Sequence, residues 1–223
     1  MDIPAWEQDI VQYGISDDAG AGKVVPAMLF TEGFATYLQD LMLLTSGELN
    51  LQRFADRINA QLTRLYDVYA DQLQAGIKDI GDNFSLNNYQ KQPYLRGLVL
   101  LLNWNARMVL AGQESGNDPQ NINNLMWAIV KEFNSHELGG NGNKLSLATI
   151  QELSLQFLPE GIQPDVDRYF LSQTPERLEP HPLGLGRCFD LQTEPFYQYI
   201  PNAEFKARGA DKCAEWLTRL WPH

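Results

Sequence analysis

Apolar residues recur at steps of three and four over much of this chain, the period of a helix with one buried face. In "AMLFTEGFATYLQDLMLL" (Ala27–Leu44) the stripe is Phe30, Phe34, Tyr37, Leu38, Leu41 and Leu44, which predicts a helix from Pro26 or Ala27 to about Thr45. "TSGEL" ends it, with Gly47 suited to the left-handed position after a helix. Asn50 is a good cap for a second helix through "LQRFADRINAQLTRLYDVYADQLQAG". Its stripe is Leu51, Phe54, Ile58, Leu62, Leu65, Val68, Tyr69 and Leu73, and its other face is charged. "GDNFSLNNYQKQP" (Gly81–Pro93) breaks the pattern. Pro93 fits the first turn of a third helix to about Gly112, apolar on most sides and therefore central. A fourth covers Asn121 to about Ser135, with Ile122, Leu125, Met126, Ile129, Val130 and Phe133 inward. Ser146 caps a fifth to about Leu158, and a sixth covers about Pro164 to Ser172. After Thr174, prolines and glycines interrupt short apolar pieces, which predicts extended segments or short strands. A last helix is expected from about Ala203 to Leu220. The expected fold is mostly α. An irregular segment (1–26) leads into a multi-helix bundle (27–173), followed by a loop-rich or partly β tail (174–223).

Composition fits a folded chain, with 44% hydrophobic and 20% charged residues. The net charge of -11 argues against nucleic acid as a partner, since phosphate binding needs a surplus of Lys and Arg. The longest apolar run, "YLRGLVLLLNW" from Tyr94, is too short for a membrane span and carries Arg96. "MDIPAWEQDI" is acidic and has no apolar centre, so it does not read as a signal peptide. Cys188 and Cys213 form no Cys-x-x-Cys motif. A disulfide in an exported protein and two free thiols both fit.

Metal and acid–base sites use histidine most, and the chain has three: His136, His181 and His223. "SHELGG" does not complete the zinc motif His-Glu-x-x-His, because Gly140 stands where the second imidazole is needed one helical turn on. His181, between two prolines, and His223, at the end, read as surface residues. No GxSxG, GxGxxG or phosphate-binding loop is present; Gly20, Gly22 and Lys23 lack the spacing of the last. Glu32 and Tyr94 remain. Each has a plain explanation, Glu32 as an acid favoured by a helix N-terminus and Tyr94 as a rim tyrosine of an apolar helix.

Their contexts narrow this. "TEGFATYLQDL", followed about sixty residues later by "PYLRGLVLLL", resembles the gluzincin metallopeptidases, and the glycyl-aminopeptidase family above all. The resemblance implies that Glu32, within Glu32-Gly33-Phe34-Ala35-Thr36-Tyr37, matches the family's third zinc ligand. It implies that Tyr94, within Pro93-Tyr94-Leu95-Arg96-Gly97, matches the tyrosine that stabilises the oxyanion. "DLMLLTSGELNLQRFADRIN" and "DVDRYFLSQTPE" (Asp165–Glu176) are similar to later family segments, so the likeness runs from about Ala27 to Glu176. It implies zinc as cofactor and a peptide or protein as substrate in an intact enzyme, and hints at export or the periplasm.

The departures are specific. His-Glu-x-x-His is missing, and the stretch where the family places it, "AWEQDIVQYGISDD" (Ala5–Asp18), has no histidine. Thr31 replaces the usual Asn before Glu-Gly. Either the chain is the later part of a longer peptidase, or it is a homologue that has lost zinc and catalysis. Both lead to the expectation of no tight zinc and no peptidase activity in this chain. The rival is a non-catalytic helical module that binds a protein or peptide in the former substrate cleft. An unrelated helical domain is the third reading.

Overall fold

A computed structural model describes residues 25–115, 120–137, 147–172 and 175–218. The chain is mostly α, with a small antiparallel hairpin in a loop-rich C-terminal part. Helix α1 is Val25–Thr45, α2 Leu51–Thr63, α3 Ile77–Asp82, α4 Asn87–Gln90 and α5 Gln92–Ser115. Then follow α6 (Ile122–Glu137), α7 (Leu147–Ser154), α8 (Gln163–Val166), strands β1 (Phe189–Gln192) and β2 (Gln198–Pro201), α9 (Ala203–Arg208) and α10 (Ala210–Thr218).

The long helices form where the apolar period is strongest. The Asn50 side chain accepts the Arg53 N–H and caps α2, which buries Leu51, Phe54, Ala55, Ile58 and Leu62. Helix α5 is central, as its sequence requires. Leu95, Leu98 to Leu102, Trp104 and Met108 are all buried, so it contacts neighbours on most sides. Its most extensive packing is with α1. The middle of α5 is tied to the start of α6 by Asn105, whose Oδ1 accepts the Ile122 N–H at 2.9 Å and whose Nδ2 donates to the Gly184 carbonyl at 2.8 Å. That satisfies a first-turn N–H that the helix itself leaves without a partner.

Several expected details are corrected. Val68 is 62% exposed, not part of the buried stripe. After Thr63 the helix widens into a π turn (Arg64–Val68), which shifts the phase of the residues beyond it and turns Val68 outward. Val130 is likewise exposed on α6, while the Phe133 side chain lies outside the described residues. The break at Gly81–Pro93 contains the end of α3 and the short α4. The fifth helix is shorter than expected and ends at Ser154; its proposed cap, Ser146, lies outside the described residues. The last helix is two helices, because Gly209 adopts φ +82, a left-handed conformation that stops α9 before α10 begins.

The C-terminal part is built into the helical core. Leu178, Leu185, Phe189, Tyr199, Cys213 and Leu217 join the apolar cluster formed by α1, α2 and α5. Strands β1 and β2 pair with Phe189 opposite Pro201. Asn59 of α2 then serves β2 as a neighbouring strand would. Its Nδ2 donates to the Tyr199 carbonyl at 2.9 Å and its Oδ1 accepts the Tyr199 N–H at 2.7 Å. The Tyr66 hydroxyl donates to the Leu178 carbonyl at 2.5 Å. Cys188 and Cys213 form a disulfide with Cα atoms 6.0 Å apart, which decides between the two cysteine alternatives. No helix among the described residues is long and apolar enough to cross a membrane.

Candidate functional site

The site is set by the crossing of α1 and α5. A Cβ added to Gly33 would lie 2.7 Å from the Gly97 backbone, closer than side chains are tolerated, so the two helices touch backbone to backbone. Glu32 precedes Gly33, and Gly97 stands three residues after Tyr94, on the same side of α5. The crossing therefore brings the two residues to one place, where the Glu32 carboxylate acts on the Tyr94 phenol. Both residues are half-buried. Burial first, then the nearby Glu32 carboxylate, hold the Tyr94 phenol above its ordinary pKa. The Lys91 ammonium lies 5.0 Å from the centre of the Tyr94 ring. Gly33→Ala is expected to lower stability by about 1–3 kcal/mol through overpacking. A urea midpoint equal to the wild type's would show that the helices do not meet there.

The helix dipole does not account for Glu32. The residue stands about two turns into α1, whereas a charge–dipole interaction fades within the first turn. Two buried polar residues on α1 and α5 were not singled out by the sequence pattern. Asp40, two turns further along α1, is buried and accepts from Arg57 Nε at 2.6 Å; burial raises its pKa while Arg57 opposes the rise. Arg96, noted in the sequence only as a charge within an apolar run, is fully buried. Its Nη1 donates to the Ala75 carbonyl at 2.7 Å and its Nη2 to the Tyr169 carbonyl. Burial lowers its pKa to about 10. A polar residue among apolar ones at the helical period was the available signal.

A catalytic zinc takes three protein ligands and a water. Among the described residues no group of three or more His, Cys, Asp or Glu could hold a metal ion. The side chains of His136 and His223, and the whole of Ala5–Asp18, lie outside the described residues. His181 is not the surface residue expected of its loop. It is half-buried, its backbone N–H donates to Asn103 Oδ1 at 2.8 Å, and its ring Nδ1 accepts the Leu183 N–H at 3.1 Å. Burial lowers its pKa, and a ring nitrogen that accepts must be unprotonated. The unfolded chain therefore binds the proton first, so the stability His181 contributes is present above the unfolded value of 6.5 and lost as pH falls through the lower folded value. His181→Gln is expected to flatten the fall in urea midpoint over roughly pH 5 to 7. An unchanged slope would contradict this assignment.

The chain matches no protein-family model and no curated protein.

Proposed function

We propose that this chain is the helical part of a glycyl-aminopeptidase-like zinc metallopeptidase. Glu32 would be the third zinc ligand of the intact enzyme and Tyr94 its oxyanion-stabilising phenol. The observation that supports this is the proximity of Glu32 and Tyr94 at the Gly33–Gly97 crossing, close enough for the Glu32 carboxylate to raise the Tyr94 pKa. Two motifs far apart in sequence thereby lie side by side. A phenol donor fits the oxyanion task, where losing one such donor costs roughly a hundred-fold or more in rate. The two histidine ligands and the base that would complete the chemistry are not supplied by the described residues, so this chain by itself is proposed to hydrolyse no peptide.

A second reading, a non-catalytic module that takes a peptide or protein in the former substrate cleft, fits the donor set that the described residues leave incomplete. Reading the coding region upstream of Met1 separates the two. A His-Glu-x-x-His there supports the peptidase part, and its absence supports the binding module. The chain as it stands is expected to leave zinc with a competing chromophoric chelator and to release no product from a glycyl anilide. Tight stoichiometric zinc binding by this chain would sink the claim that the site is incomplete.

A further inference from the structure

A guanidinium at the centre of a helical core is costly, and an apolar residue of similar size is often no worse for stability. Arg96 is 0% exposed all the same. It reaches two carbonyls, Ala75 ahead of α3 and Tyr169 in the π turn Asp167–Leu171 that continues α8. Neither belongs to α1. The planar fork of an arginine fixes the direction of both bonds, which a lysine cannot do. Arg96 and Tyr94 are two residues apart and so lie about 200° apart around α5. One side of the helix is held to the two carbonyls, and the other meets α1. On that second side the closest contact is glycine on glycine, and neither glycine has a side chain to key the roll of α5.

We propose that Arg96 is a positioning residue: by holding α5 to the Ala75 and Tyr169 carbonyls, it sets the roll of the helix that places Tyr94 beside Glu32. The inference rests on the Glu32–Tyr94 pair as the site. Its rival is that apolar packing of α5 alone sets the roll and Arg96 merely fills space.

A double-mutant cycle tests it. Glu32→Ala and Tyr94→Phe are made singly and together, in the wild-type, Arg96→Met and Arg96→Lys backgrounds, and urea unfolding is followed by circular dichroism. The coupling between the two residues cancels any general loss of stability, so a purely structural Arg96 leaves it unchanged. The expected result is coupling in the wild type that is lost in Arg96→Met and reduced in Arg96→Lys. If Arg96→Met does not fold, reduced coupling in Arg96→Lys supports the proposal equally. Wild-type coupling in either folded variant overturns the proposal, as does failure of both variants to fold, because Arg96 then holds the fold rather than the pair. Absence of coupling in the wild type itself overturns the shared site, and with it the proposed function.

Discussion

Trp104→Ala is expected to lower stability by about 3–5 kcal/mol, the range for removing a large aromatic side chain from a packed core. Trp104 is only 2% exposed and sits on α5, the helix with neighbours on most sides. Its loss removes packing in the middle of the molecule, where collapse around the gap is hardest. Its indole Nε1 also donates to Asp165 Oδ2 at 2.7 Å, which ties α5 to α8. Asp165 keeps Arg107 at 2.5 Å, so the carboxylate is not left without a partner in the variant. The bulk of the effect is therefore cavity and lost apolar burial. Trp104→Phe separates the terms, since it keeps an aromatic ring but loses the indole donor, and is expected to cost clearly less than the alanine. Urea unfolding followed at the helical circular-dichroism band measures both. Against a typical total of roughly 5–15 kcal/mol, the alanine variant loses a large share of its stability. A loss below about 1 kcal/mol would show that α5 is not buried as described.

The helices and the central place of α5 were legible because burial on one face or on all faces leaves a period in the sequence. The hairpin was legible only as a change of texture, since four-residue strands carry too few alternations to fix a register. Val68 and Gly209 show where the period misleads. A π turn adds a residue to one turn, and a single left-handed glycine divides an otherwise continuous amphipathic pattern. The burial of His181 was not legible, because its proline-rich loop folds onto α5 through Asn103, a contact that only the tertiary structure provides.

The candidate site divides along the same line. Glu32 and Tyr94 stood out as polar residues on apolar helices, and the resemblance linked them. What sequence could not reveal was the close crossing of Gly33 and Gly97 that brings them together, or the two carbonyls waiting for Arg96. Periodicity identifies a buried position without saying which backbone groups face it. A fully buried arginine two residues from a candidate site residue is therefore information of a kind only the fold supplies.

Replacing Cys188 and Cys213 together by serine is expected to cost about 3.5 kcal/mol, from the loop-closure entropy of a cross-link spanning 25 residues. For a chain of this length that corresponds to a fall in melting temperature of roughly 7–14 °C. The bond joins the residue before β1 to the middle of α10. Because Phe189, Tyr199, Cys213 and Leu217 share one core with α1, α2 and α5, the loss should appear as a shift of the whole transition, not as early melting of the C-terminal part. Helix α10 also packs against both α1 and α2. A slackened α10 removes support from the helix that carries Glu32, so the serine variant should weaken the Glu32–Tyr94 coupling as well as the fold. Differential scanning calorimetry with and without reductant gives the first quantity, and the same mutant cycle gives the second. An unchanged melting temperature in the double serine variant would mean that the Asn59–Tyr199 bonds and apolar packing alone hold the hairpin in place. A disulfide of this kind persists in oxidising compartments, so the same measurement bears on where such a chain can keep its fold.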